Sequence, residues 1–135
     1  INNDLERIGD QVVNIAQRVV SIAKRPAVSF QFDYSEMAEK AESMLRMSLD
    51  SLVNQDLDVA IKVLHLDDEV DSLKDETYDR IKQAMAEGVT DDVGYMINLL
   101  LISRHIERLA DHATNIAEEV AYMIEGEIVR HGRLD

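Results

Sequence analysis

The sequence predicts an all-α protein, an antiparallel bundle of four long helices. Apolar residues recur at every third or fourth position through most of the 135 residues, which is the period of a helix with one buried face. No segment of useful length shows the apolar-polar alternation of a half-buried strand. The second, third and fourth periodic segments are joined by short connections, so we expect them to pack as antiparallel neighbours.

The first helix is predicted over residues 1–25. Lys24 and Arg25 suit the negative end of a helix dipole, and Pro26 blocks continuation into a loop over residues 26–33. This longer loop gives the first helix freedom of placement, including exchange between two subunits of a dimer. Its predicted seam consists of Ile1, Leu5, Ile8, Val12, Ile15, Val19 and Ile22.

The second helix is predicted from a capping box, Asp33 followed by Glu36, to about Val53. A short break at residues 54–56 leads into the third helix, which continues to about Ala86. The predicted inner face of the second helix consists of Met37, Ala41, Met44, Leu45, Ser48 and Leu52. That of the third consists of Val59, Val63, Leu66, Val70 and Leu73.

The fourth helix is predicted to follow a stop at Gly88 and a fresh cap at residues 90–91. We expect it to end near Glu125, with Gly126 and a polar tail over residues 129–135 that fray. Its predicted inner face consists of Leu99, Ile102, Ile106, Leu109, Ala113, Ile116, Val120 and Met123.

The formal net charge of -13 argues against unaided binding to nucleic acids or to anionic membrane surfaces. No apolar run approaches the roughly 20 residues that cross a bilayer, so direct membrane insertion is not expected. The absence of Cys and of a signal peptide favours the cytoplasm. The chain begins with Ile rather than Met, so we expect further sequence upstream.

A stretch of the first helix is repeated in the fourth. LERIGDQVVNIAQRV, residues 5–19, aligns with IERLADHATNIAEEV, residues 106–120, and the identical positions include both acids and the Asn-Ile-Ala triplet. The repetition predicts two equivalent helices in two equivalent units.

Each copy carries two acids one helical turn apart on the side opposite its seam. Glu6 and Asp10 form the first pair, and Glu107 and Asp111 the second. Antiparallel packing is expected to set the second pair beside two acids of the third helix, Asp67 and Asp71. These oxygen ligands suit hard cations such as iron, manganese, magnesium or calcium. The alternative is a solvated acidic surface in which neighbouring arginines pair with the acids along each helix.

Enzymatic activity is not expected. A di-iron oxidase of the bundle type requires Glu-x-x-His motifs that point inward, and no His of this chain has Glu three residues before it. Glycine-rich phosphate loops and H-E-x-x-H motifs are also missing from the sequence.

The text ER(I/L)(G/A)D-x-x-x-NIA within a helix resembles the PhoU family of phosphate-uptake regulators, which are built from two three-helix repeats. The resemblance implies that residues 1–25 close a first repeat and that residues 34–128 form the second. It also implies metal-binding acids on paired helices, with iron expected first and manganese, magnesium or zinc as alternatives. The matching residues are Asp67, Asp71, Glu107 and Asp111 for one site, and Glu6 and Asp10 for half of another.

The function implied by the resemblance is negative regulation of phosphate uptake and of the phosphate-starvation response. The partners implied are a phosphate-specific ABC transporter and a sensor histidine kinase, and we expect the chain to be a homodimer. Two alternatives remain at this stage: a PhoU-like domain of a sodium-phosphate symporter or another membrane protein, and a scaffold or dimerisation bundle without metal.

Overall fold

Four α-helices make up the chain where its structure is described. The computed structural model describes residues 2–23, 34–88 and 93–134, and the side chains of residues 2–19, 34–88 and 93–127. Helix α1 spans Asn2–Ala23, α2 Ser35–Asn54, α3 Leu57–Ala86 and α4 Val93–Leu134. No strand occurs within these ranges. The predicted all-α class and the number of helices are confirmed.

Helix α4 is the centre of the bundle. It packs against each of the other three helices, and α2 and α3 also pack against each other. Over the described residues, α1 contacts α4 alone. The main core joins the inner faces of α2, α3 and α4, and its fully buried side chains include Met44, Val63, Val70, Ile102 and Ile116. Burial of these apolar surfaces is the dominant force that holds the helices together.

The helix ends follow the sequence where they can be compared. Asp56 caps α3 by accepting a hydrogen bond from the Val59 backbone N–H at 3.2 Å, and Gln55 takes the left-handed backbone conformation between the helices. Gly88 is also left-handed, with φ +81°, as its predicted role in ending α3 requires. The capping box at Asp33, the cap at residues 90–91 and the loop at 26–33 lie outside the described residues.

Helix α4 is longer than predicted. It continues through Gly126 to Leu134, so the expected end near Glu125 is too early and residues 129–134 are helical rather than frayed. A glycine inside a helix costs only about 1 kcal/mol, which is too little to stop a helix whose other residues favour it. Met123, predicted to face inward, is 50% exposed, because α4 here reaches the turn at Gln55, where α2 ends and α3 begins.

The seam of α1 is only partly buried. Ile8 is buried and Ile15 half-buried, whereas the other described seam residues are exposed: Leu5, Val12 and Val19. The reason is geometric: α1 meets a single helix, which covers only one side of its apolar stripe. The side chains of Ile1 and Ile22 lie outside the described set.

The contact between α1 and α4 has a local two-fold relation. Oδ1 of Asp4 lies 3.0 Å from Nδ1 of His112, and Oε1 of Gln11 lies 2.7 Å from Nδ1 of His105. In the sequence repeat Asp4 corresponds to His105 and Gln11 to His112. The repeat therefore exchanges the two hydrogen-bonded pairs, as an isologous interface requires.

Candidate functional site

Antiparallel packing of α3 and α4 brings four carboxylates together on the bundle surface. Asp67 and Asp71 lie one turn apart on α3, and Glu107 and Asp111 lie one turn apart on α4. We call these four residues the acid cluster. The charges of Asp67, Glu107 and Asp71 all act on Asp111, as expected for two pairs that lie side by side.

Burial and mutual repulsion raise the pKa values of three acids in this cluster. Partial desolvation, followed by repulsion from Asp67, Glu107 and Asp71, raises the pKa of Asp111 to about 6. This rise occurs although Asp111 as a whole residue is exposed. The pKa of Asp67 is raised by burial and then by the charge of Asp71, and the pKa of Asp71 by burial and then by that of Glu107. The ionised forms of these acids are therefore destabilised in the folded protein, and a bound cation would reduce this destabilisation.

One oxygen of the acid cluster lacks a donor. Oδ1 of Asp67 is buried and accepts no hydrogen bond. The nearby hydroxyl of Thr114 lowers the pKa of Asp67 and so opposes the effect of burial. That hydroxyl donates its hydrogen to the Ala110 carbonyl at 3.0 Å, so Oδ1 of Asp67 has no donor. An unsatisfied buried acceptor costs about 1–3 kcal/mol, so this oxygen favours the approach of a positively charged ligand.

Lys74 provides a counter-charge that the sequence pattern did not predict. Its Nζ lies 2.5 Å from Oε2 of Glu107, and this hydrogen bond is the main reason that the pKa of Lys74 is raised. A pairing of Glu107 with Arg104, which the alternative of a solvated acidic surface would allow, is not among the ion pairs of the described residues. The available signal was the position of Lys74 three residues after Asp71, on the same side of α3.

The donor set fits a hard cation in its chemistry, although the side chains do not converge on a single point. All four donors are carboxylates, and Asp67 contributes the orphaned oxygen. Across the described part of the chain, however, no three His, Asp or Glu side chains are arranged to hold a metal ion. Binding would therefore require these side chains to turn toward the cation.

Glu6 and Asp10 do not join the acid cluster. Both are exposed on α1, as predicted, and neither is among the charges that shift the pKa values of Asp67, Asp71 and Asp111. They stay separate from the four acids of α3 and α4.

His112 faces α1 rather than the acid cluster. Its Nδ1 lies 3.0 Å from Oδ1 of Asp4, which also accepts a hydrogen bond from Asn115 Nδ2 at 3.4 Å. Asn115 thus makes a hydrogen bond between α4 and α1. Burial opposes ionisation of Asp4, but the hydrogen bonds from His112 and Asn115 outweigh it and the pKa of Asp4 is lowered.

Comparison with known proteins identifies the family. The PhoU domain matches residues 34–120, which cover α2, α3 and most of α4. The chain belongs to the PhoU family. It is 33% identical over 129 residues to a phosphate-specific transport system accessory protein PhoU homolog of Clostridium acetobutylicum, across 96% of this chain. A protein of the same description from Aquifex aeolicus is 37% identical over 134 residues, across 97% of this chain.

This PhoU-family chain spans only part of the length of its relatives, 58% of the Clostridium protein and 59% of the Aquifex protein. Family membership confirms the resemblance inferred from the repeated motif, and it agrees with the non-enzymatic class expected from the sequence. No helix, over the residues described, combines the length and apolar content needed to cross a membrane.

Proposed function

We propose that this chain acts in a cytoplasmic negative regulator of phosphate uptake and of the phosphate-starvation response. It would serve as a non-enzymatic adaptor between a phosphate-specific ABC transporter and a sensor histidine kinase. The observation that carries this proposal is the similarity, over nearly the whole chain, to proteins described as phosphate-specific transport system accessory proteins. Those relatives favour this function over that of a symporter domain.

The acid cluster is proposed to hold a metal ion, iron first and manganese, magnesium or zinc as alternatives. Asp67, Asp71, Glu107 and Asp111 would supply its oxygen ligands. The raised pKa values and the orphaned Oδ1 of Asp67 support this role, because each reflects negative charge in need of a partner. A bound cation would supply the positive charge that links α3 to α4.

Residues 1–25 are proposed to close a first three-helix repeat, and residues 34–128 to form the second. The exposed side of α1 supports this division. Leu5, Val12 and Val19 are exposed, yet their counterparts in the repeat are buried under α2 and α3: Ile106, Ala113 and Val120. Helices of a first repeat would cover the α1 residues in the same way, and would complete the half-site formed by Glu6 and Asp10. A dimer that covers this side of α1 is the competing arrangement, and light scattering on the chain distinguishes the two.

Gene deletion tests the regulatory role. In phosphate-rich medium, cells without the gene are expected to express their phosphate-uptake genes at starvation levels, and the wild-type gene to restore repression. Unchanged expression after deletion would contradict the proposal.

Substitution of the acid cluster tests the role of the metal. The double substitution Asp67→Asn and Asp111→Asn should fail to restore repression, whereas Asp79→Asn, at an exposed position of α3, should restore it. Repression by the doubly substituted protein, together with no bound metal in untagged wild-type protein, would instead favour a metal-free scaffold.

A further inference from the structure

Lys74 approaches the acid cluster from the C-terminal side of α3. Its Nζ is 2.5 Å from Glu107 and 3.9 Å from Asp75. The side chains of Lys74 and Glu107 are 26% and 20% exposed, whereas that of Asp75 is 74% exposed. Water and salt weaken a shielded ion pair less than an open one, so the ammonium of Lys74 is held mainly by Glu107.

The positive charge of Lys74 acts on two of the four carboxylates, Glu107 and Asp71. After the effects of burial and of Glu107, Lys74 is the next strongest influence on the pKa of Asp71, and it lowers it. Among the described residues, no lysine or arginine appears among the charges that shift the pKa values of Asp67 and Asp111. Lys74 is therefore the counter-ion of Glu107 and Asp71, whereas the charge that lowers the pKa of Asp111 is that of His112.

We propose that Lys74 is a built-in counter-ion of the acid cluster, which a bound cation must displace from Glu107. This inference deepens the proposed metal-binding role and rests on it. A carboxylate oxygen in close contact with an ammonium is not available to a metal, and the ammonium charge repels an incoming cation. Lys74 thus sets the affinity of the acid cluster without being a ligand.

Displacement of Lys74 also implies selection by charge. A monovalent cation brings no more charge to the acid cluster than the ammonium that it replaces. A divalent or trivalent cation gains additional attraction from all four carboxylates. Lys74 therefore favours multivalent ions over sodium and potassium, which are abundant in every buffer and cell.

Manganese binding to the untagged full chain tests the proposal. Free Mn²⁺ is measured by electron paramagnetic resonance during titration at pH 7 and low ionic strength. Lys74→Gln is expected to bind Mn²⁺ about tenfold more tightly than wild type, equivalent to about 1.4 kcal/mol. Lys82→Gln is the matched control, since it removes the same charge from an exposed position of α3 and should change affinity by less than about twofold. Lys74→Arg keeps the charge and should stay close to wild type.

Thermal unfolding without metal provides a second measurement. With its counter-ion removed, Lys74→Gln should melt about 3 °C below Lys82→Gln, and Mn²⁺ should abolish this difference. Equal melting temperatures, or Mn²⁺ affinity that is unchanged in Lys74→Gln or equally increased in Lys82→Gln, would overturn the counter-ion role. If wild type binds Mn²⁺ but Lys74→Gln gains no affinity, only this inference fails. If neither protein binds Mn²⁺, the proposed metal role fails with it.

Discussion

The charge state of each acid in this chain depends on the side chains that surround it. Burial, followed by repulsion from three other carboxylates, raises the pKa of Asp111 to about 6, whereas the hydrogen bonds from His112 and Asn115 lower the pKa of Asp4. Both residues are aspartates that contact α4 or belong to it. Their opposite shifts show that neighbouring groups decide whether a carboxylate strains the fold or supports it.

Replacement of Asp111 should therefore stabilise the metal-free protein at neutral pH. Because its pKa is higher in the folded state than in the unfolded state, the folded protein binds more protons between about pH 4 and 6, and stability falls as pH rises through that window. Asp111→Asn removes this loss. We expect a gain of about 1 kcal/mol at pH 7, reduced from the full shift by solvent screening, and little gain below pH 4.

Urea denaturation with chelator present, at pH 7 and pH 4, measures this effect. Asp79→Asn is the control for net charge, because Asp79 is exposed and lies outside the acid cluster. A loss of stability in Asp111→Asn at pH 7, or an equal gain in the control, would show that repulsion at Asp111 does not limit stability.

At the scale of the helices, α1 is attached differently from the others. The three helices α2, α3 and α4 each pack against two or more neighbours, whereas α1 contacts only α4 over the described residues. Its attachment depends on Ile8, on Ile15 and on hydrogen bonds to four polar residues of α4, namely Asn98, His105, His112 and Asn115. Local unfolding of α1 should therefore require less free energy than unfolding of the three-helix unit.

Ile8→Ala tests this weak attachment. Loss of the buried side chain should cost about 2 kcal/mol, and hydrogen exchange should accelerate in α1 more than in α2 or α3. Val12→Ala is the matched control: it shortens a side chain that is 50% exposed, and should change stability by less than about 0.5 kcal/mol. Uniform acceleration of exchange in all four helices would mean that α1 unfolds together with the rest.

At the scale of the whole molecule, negative charge opposes a compact shape. The formal net charge is -13, and Lys74 is the counter-ion that the described structure provides within the acid cluster. Self-repulsion of this size destabilises the folded state, in which the charges are closest. Burial along α4 offsets the repulsion and keeps the bundle together.

Salt should consequently stabilise the metal-free protein. Raising sodium chloride from about 0.01 M to about 0.15 M shortens the Debye length from about 30 Å to about 8 Å and screens repulsion across the bundle. We expect the melting temperature to rise by several degrees, as measured by calorimetry in the presence of chelator. A variant with four exposed acids neutralised away from the acid cluster should show a smaller rise. A melting temperature that falls with salt would indicate that favourable ion pairs outweigh repulsion.

The sequence predicted the helices better than it predicted their exposed faces. Periodicity and turn residues located α2 and α3 closely, because a local pattern determines local structure. The exposure of Leu5 and Val12 could not be predicted from a local pattern, because it depends on how many helices contact α1. The extension of α4 beyond Gly126 was missed because a single glycine is a weak stop signal.

The sequence predicted which four acids form the acid cluster, but it did not predict that Lys74 is their counter-ion. Four aspartates recur at every fourth position of α3, and each step turns about 40° around the helix axis. Asp67 and Asp71 therefore approach α4, whereas Asp75 and Asp79 turn to solvent. Spacing alone does not show which members of such a series face a neighbour, nor that Lys74 reaches across to Glu107.

The exchange of contacts between Asp4–His112 and Gln11–His105 carries an evolutionary consequence. A shorter ancestor with only one such unit would already possess every group needed to associate with its own twin. Gene duplication followed by fusion converts that association into folding within one polypeptide. After fusion, the two copies of each position can mutate independently. An acid such as Asp4 can therefore occupy a position at which the other copy carries a histidine, His105.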